Sequence, residues 1–168
     1  MKYLLLIGLG LIAFITSSAQ VEGMAKLFGF KEEVIGGVNP SHIEENGEQV
    51  NRSSTGLNYY IYLQSASRVY PSEIWINGQP FGASFHTVTT PVERQEFNHP
   101  DSGKTVLVPK TNEKLLQLVP IAAVESKLTQ KGKSLAAKNE LVVIYKQDGR
   151  FYYNVLDRLK PLVPVALQ

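Results

Sequence analysis

Three histidines, His42, His86 and His99, are the residues of this chain best suited to metal or acid–base chemistry. No two of them lie within four positions, so the close spacings that present two imidazoles to one ion are missing. The chain has no cysteine, which removes thiolate ligands, disulfides and a thiol nucleophile. A metal protein or hydrolase that depends on His86 or His99 therefore stays only as an alternative.

Hydroxyl nucleophiles and carboxylate pairs show no clearer catalytic pattern. His99, Asp101 and Ser102 have the residue types of a hydrolase triad, but they are neighbours in a turn-forming segment, where triad geometry is rare. The adjacent carboxylates Glu32 and Glu33 would point apart on a strand, whereas the two carboxylates of a glycosidase face each other across a cleft. We predict no catalytic residue, no metal ion, no cofactor and no enzyme activity.

Aromatic side chains are better candidates for contact with a partner. Strand alternation places Tyr60 and Tyr62 on one face, and Trp75 on the same side of its strand as Glu73 and Asn77. Exposed aromatic rings with polar neighbours are typical of sugar-stacking platforms and of protein hot spots. We predict a binding face made of these five residues, with ordinary packing in the core or at its rim as the alternative.

Strands must position these residues, because period-two alternation of apolar and polar residues dominates the chain after Leu57. The Asn77-Gly78 and Asp148-Gly149 pairs each lie between two such runs, and such pairs favour the type I′ turn of a hairpin. The count of seven or eight short strands predicts an antiparallel, immunoglobulin-like β-sandwich. A small up-and-down β-barrel is the alternative.

Three segments complete the predicted fold. Pro120 and the apolar spacing after it predict one short helix near residues 121–131. The two prolines after Asp157 predict an extended edge strand or a tail that lies on the sheet. Residues 21–37 show helical spacing, but their glycines limit any helix to about two turns.

The first residues predict export. Lys2 precedes an apolar run from Leu4 to Ile15, and Ser17 and Ala19 fit a signal-peptidase site, so residues 1–19 are predicted to be a cleaved signal peptide. A helix of that apolar length rises only about 18 Å, too short for a bilayer core. We therefore predict a periplasmic or secreted chain with no transmembrane span after cleavage.

The mature chain is predicted to have two parts. Residues 20–56 are an N-terminal segment and a loosely held polar loop, and residues 57–168 are the β-sandwich domain. The net charge of +2 argues against a nucleic-acid partner, and the absence of cysteine favours a bacterial envelope. We expect a non-catalytic binding or assembly module that contacts an envelope protein or glycan. A small-ligand carrier with a barrel interior is the alternative.

Overall fold

A computed structural model describes residues 21–22, 24–35, 42–43, 49–50, 55–95, 103–125 and 130–166. Within these ranges the chain consists mainly of strands, with one short helix. The elements are β1 (Val21–Glu22), β2 (Lys26–Ile35), β3 (His42–Ile43), β4 (Gln49–Val50), β5 (Thr55–Ser65), β6 (Tyr70–Ile76), β7 (Gln79–Val88), β8 (Val92–Gln95), β9 (Lys104–Val108), β10 (Lys114–Ala123), α1 (Gln130–Ala136), β11 (Leu141–Gln147), β12 (Arg150–Leu156) and β13 (Lys160–Ala166). The predicted signal peptide lies outside the described residues.

Nine of the described strands form one curled sheet with the shape of a half-barrel, in the order β1-β12-β11-β6-β7-β10-β5-β2-β13. Neighbouring strands are antiparallel except at the two edges, where β1 lies parallel to β12 and β13 lies parallel to β2. Two further pairs, β3 with β4 and β8 with β9, form separate small sheets. The predicted all-β class is confirmed, and the curled sheet is consistent with a sandwich or a barrel-like architecture.

Both predicted hairpins are present, with the predicted backbone at their turns. Asn77 has a φ of 50° and Gly78 a φ of 79°, while Asp148 and Gly149 have φ values of 49° and 79°. Positive φ at both central residues is the signature of a type I′ turn, whose twist matches that of the flanking strands. The turns join β6 to β7 and β11 to β12.

The inner face of the curled sheet holds the main hydrophobic core. Successive side chains of a strand point to opposite faces, so alternate residues of the central strands meet here. Its fully buried members include Ile61, Leu63, Ile74, Leu141, Val143 and Tyr145. The carrier alternative requires an apolar cavity at this place, where the described residues form a cluster of packed, buried side chains.

A second core lies on the outer face of the sheet, over β6, β11 and β12. It brings Trp75 together with Val142, Ile144 and Tyr153, and Ala136 of α1 packs against them. The helix therefore covers apolar side chains that the sheet alone would leave in water.

A third core lies further along the same outer face. Phe30, Tyr62 and Leu115 pack here against Leu107 and Val108 of β9. The β8–β9 hairpin thus covers this part of the sheet as α1 covers the other, which explains why neither outer cluster is open to solvent.

The helix begins nine residues after the predicted start, at Gln130, and ends at Ala136. Residues 121–123 complete β10 instead, after an irregularity in the ladder that follows Pro120. Ile121 lies against Gly82, where an added Cβ would come within 2.9 Å of its Cγ1. Ile121 and Val124, whose spacing predicts a helix, therefore pack across the sheet against Gly82. The one helix in the described ranges, α1, is also too short to cross a membrane, and no other described helix could do so.

Strand β2 and the last described strand, β13, lie side by side in the sheet. Residues 26–35, where the sequence shows helical spacing, form the strand β2, which pairs with β5 on one side and β13 on the other. The last segment is an edge strand, as predicted, and its Pro161 has no N–H to offer a further strand. Strand β2 thus belongs to the same sheet as the strands that follow residue 57.

Candidate functional site

The structure places the predicted aromatic face largely inside the fold. Trp75 is 7% exposed and Tyr62 is 3% exposed, contrary to the outward rings expected from the sequence. The indole Nε1 of Trp75 donates a hydrogen bond of 3.1 Å to the Glu73 carboxylate, so these two predicted residues are in contact. Tyr60 and Tyr62 lie over another part of the sheet, separated from β6 by β7 and β10.

Tyr60 takes part in a network that fastens the β8–β9 hairpin. Its hydroxyl donates a hydrogen bond of 2.6 Å to the buried Glu32 carboxylate. This bond raises the pKa of Tyr60, and burial raises it further. Arg94 of β8 donates from Nη2 to the other oxygen of Glu32, and both Nη1 and Nη2 lie 3.3 Å from the Val163 carbonyl oxygen. The contacts of Tyr60 are therefore structural.

Asn77 is the predicted site residue that lines a surface groove. Its turn lies at the end of the half-barrel where three segments are tied by their backbones. The Asn77 N–H donates to the Glu140 carbonyl at 2.9 Å, and the Glu140 N–H donates to the Asp157 carbonyl at 3.2 Å. These bonds hold the β6–β7 turn beside the segments that precede β11 and β13.

The groove consists of two recesses that we call together the mouth groove. The larger, of about 650 Å³, is lined by Lys31, Asn77, Lys138, Glu140, Asp157 and Arg158, together with Gly78 and neighbouring residues 136, 137 and 139. The smaller, of about 340 Å³, is lined by Lys31, Glu33, Leu57, Tyr59, Asn77, Glu140, Pro161 and Leu162. The recesses meet at the three residues common to both, which are Lys31, Asn77 and Glu140.

A fixed ion pair lies where the recesses meet. Lys31 Nζ donates to Glu140 Oε1 at 2.8 Å, and the Leu159 N–H donates to Glu140 Oε2 at 2.8 Å. Burial by itself would raise the pKa of Glu140, but these hydrogen bonds and the charges of Lys31 and Arg158 outweigh it and lower the pKa. Glu140 is thus held ionised, with both oxygens engaged.

We expect Glu140→Gln to lower the free energy of unfolding at pH 7 by about 1–2 kcal/mol, because bonds to a charged group are lost while the partly exposed Lys31 is screened by water. A lowered pKa in the fold means that the contribution is present above the ordinary value of 4.5 and disappears as the pH falls through the folded value. Urea unfolding at pH 7 and pH 3 measures the free energy of unfolding of both proteins. The difference between wild type and Glu140→Gln should be smaller at pH 3 than at pH 7.

Glu33→Gln is the control for that prediction, because Glu33 is an exposed carboxylate of the same groove. Its free energy of unfolding should change by less than about 0.5 kcal/mol at both pH values. If Glu140→Gln lowers the free energy of unfolding by the same amount at pH 3 and pH 7, the ionic role assigned to Glu140 is contradicted.

The histidines do not gather in the described part of the chain. His86 is exposed on β7, the backbone of His42 lies in β3, and His99 lies outside the described residues. Among the residues that the structure describes, no group of three or more histidine, aspartate or glutamate side chains can hold a metal ion. The histidine-dependent alternative therefore gains no support from the described geometry.

Sequence reasoning missed Lys31, Tyr59 and Glu140. Lys31 follows Leu27 and Gly29 at alternate positions of β2, so it points to the inner face of the sheet. A lysine at an inward position of a strand indicates a polar site on that face of the sheet. The sequence gives this indication only if residues 26–35 are assigned as a strand. Tyr59 points to this side because it alternates with Tyr60.

Comparisons of the chain with protein-family models, with curated proteins and with solved structures find no match.

Proposed function

We propose that the protein is an exported, non-catalytic binding module of a bacterial cell envelope that contacts a protein or glycan partner through the mouth groove. Residues 1–19 support export, because they combine a positive charge, an apolar run and a small-residue exit. The observation that carries the contact site is the Lys31–Glu140 pair, fixed where two open recesses meet. Because the Lys31 and Glu140 side chains are already held in place, binding of a partner does not carry the entropy cost of ordering them.

The state of Glu140 supports binding rather than catalysis. A carboxyl group that donates a proton near neutral pH needs a raised pKa, as in the general acid of a glycosidase. The pKa of Glu140 is lowered, and both of its oxygens already accept hydrogen bonds. Such a group positions Lys31 and the Leu159 backbone, and its lowered pKa does not suit it to donate a proton near neutral pH.

Co-sedimentation of the purified protein with envelope fractions of the source organism tests this proposal. Asn77→Gly keeps a residue that tolerates the positive φ of the turn but removes the amide from the groove. We expect the apparent dissociation constant to rise roughly 2- to 10-fold, which corresponds to one lost hydrogen bond.

Asp148→Gly is the matched control, because Asp148 occupies the same position of the other type I′ turn, at the opposite end of β11. This variant should bind like wild type. Equal weakening by the two substitutions, or none by Asn77→Gly, contradicts the mouth groove as the contact site. No retention of the wild-type protein on envelopes contradicts the proposed function itself.

A further inference from the structure

The shape of the mouth groove suits a chain of linked units. Its recesses of about 650 and 340 Å³ each fall within the usual range of ligand sites, roughly 300–1,000 Å³. They are open to solvent, and Lys31, Asn77 and Glu140 line both of them. A ligand made of linked units can therefore contact both recesses across these shared residues, whereas a compact molecule would occupy only one.

The charges around the groove cancel one another. Three cations and three anions line the two recesses, namely Lys31, Lys138 and Arg158 against Glu33, Glu140 and Asp157. A groove that selects a polyanion or a polycation presents one dominant sign of charge. This balance favours an uncharged ligand.

The walls of the smaller recess differ in polarity. Leu57, which is 51% exposed, forms an apolar side with the half-buried Tyr59 and with Pro161, while Glu33 and Asn77 supply a carboxylate and an amide. A sugar ring has an apolar C–H face and a rim of hydroxyl groups, and each hydroxyl both donates and accepts hydrogen bonds. An aromatic ring beside polar groups suits such an amphipathic ligand.

A peptide that binds by adding a strand fits this place less well. The adjacent sheet edge is β13, where Pro161 and Pro164 have no N–H to donate. The Val163 carbonyl already accepts from Arg94. Main-chain pairing, on which strand addition depends, is therefore obstructed beside the groove.

From these features we infer that the mouth groove binds a neutral glycan chain of the envelope. The inference rests on the proposed function and names the ligand of the same site. The aromatic contact moves from the predicted Trp75 face to Tyr59, and Asn77 is the predicted residue that remains in the site.

The experiment compares binding to untreated envelopes, to envelopes digested with proteinase K, and to phospholipid vesicles of phosphatidylethanolamine and phosphatidylglycerol. A glycan ligand predicts undiminished retention on digested envelopes and none on the vesicles. Retention should change less than about 2-fold between roughly 50 and 500 mM NaCl, because a neutral ligand brings no charge to screen.

The other outcomes overturn the inference in distinguishable ways. Loss of binding after proteinase digestion identifies a protein partner, and then the proposed function stands while the glycan fails. Retention on the vesicles identifies a lipid surface, and a steep loss with salt identifies a charged ligand. Each of these contradicts a neutral glycan. No binding to untreated envelopes removes the proposed function as well.

Variants of the apolar wall test the site. Tyr59→Ala should weaken retention on digested envelopes roughly 3- to 10-fold, and Tyr59→Phe should stay within about 2-fold of wild type, because it keeps the ring. Leu57→Ala, at an exposed position with little risk to folding, should weaken binding about 2-fold. Val119→Ala is the control, since Val119 is 41% exposed on the outer face of β10. Unchanged binding by both alanine variants in the groove would overturn the assignment.

Discussion

Replacement of Arg94 by alanine is expected to lower the free energy of unfolding by about 3–5 kcal/mol, because it leaves the buried Glu32 carboxylate without its ionic partner. Glu32 is 3% exposed, and after the substitution the Tyr60 hydroxyl is the remaining side-chain donor to it within the described part of the chain. Arg94 also joins the β8–β9 hairpin to the Val163 carbonyl of β13. The hairpin should therefore loosen from the outer face of the sheet.

Urea unfolding of the wild-type and variant proteins at pH 7 measures this effect. Lys104→Ala is the matched control, because Lys104 lies in the same hairpin and pairs with Glu93 at 3.0 Å, but its side chain is 66% exposed. A surface pair of this kind contributes less than about 1 kcal/mol. Equal losses for the two variants would mean that the Arg94–Glu32 pair has no special importance for docking of the hairpin.

The double variant Arg94→Ala with Glu32→Gln separates two contributions to the free energy of unfolding. One is the cost of leaving the Glu32 carboxylate buried without an ionic partner, and the other is the net stabilisation by the Arg94–Glu32 pair. With the carboxylate replaced by an amide, no uncompensated charge remains, so the double variant should be more stable than Arg94→Ala alone. A double variant that is less stable than Arg94→Ala would contradict this explanation.

The parts of the fold that local sequence determines were predictable. Asn77-Gly78 and Asp148-Gly149 adopt positive φ at both positions, so the residue types alone identify the two hairpins. Residues 141–145 alternate between the inner and outer faces, as their pattern indicates, and all five are buried. Turn chemistry and side-chain alternation act within a few residues, which is why they can be recognised without knowledge of the remaining chain.

What covers each face of the sheet was not predictable in this way. Alternation correctly separates Trp75 from Ile74 and Ile76, but it does not show that Ala136 of a distant helix packs over the indole. Tyr62 likewise lies beneath Leu107, 45 positions later in the sequence. Exposure depends on these long-range contacts, so an aromatic residue on the outer face of a strand can still be part of a core.

The mouth groove depends on long-range contacts as well. Lys31 and Glu140 are 109 positions apart, and only the curl of the sheet brings β2 to the segment before β11. The sequence predicts Asn77 as a site residue because it shares a face with Trp75, yet Asn77 lines the groove because its turn is tied to the Glu140 backbone. One residue of the site was therefore predicted, for a reason that differs from the geometry.

Gly29 shows why β2 resembled a broken helix in the sequence. A Cβ added at Gly29 would come within 2.5 Å of Leu159 Cδ2 and 2.8 Å of Leu156 Cδ1. These leucines, together with Leu141, occupy the space that a side chain on β2 would need. Close packing across the half-barrel therefore favours a glycine here, because any larger residue would have to displace these leucine side chains.

We therefore expect Gly29→Ala to lower the free energy of unfolding by about 1–3 kcal/mol through overpacking, and Leu159→Ala to lower it by about 2–5 kcal/mol through loss of buried volume. In the double variant the new methyl group occupies part of the space that Leu159 vacates, so its loss should be smaller than the sum of the two. Chemical unfolding of wild type, the two single variants and the double variant measures this coupling.

Gly56→Ala is the control, because its Cβ would meet only Val34 at 4.0 Å and the substitution should have little effect on the free energy of unfolding. Strictly additive losses would show that β2 and the leucines do not compete for the same space.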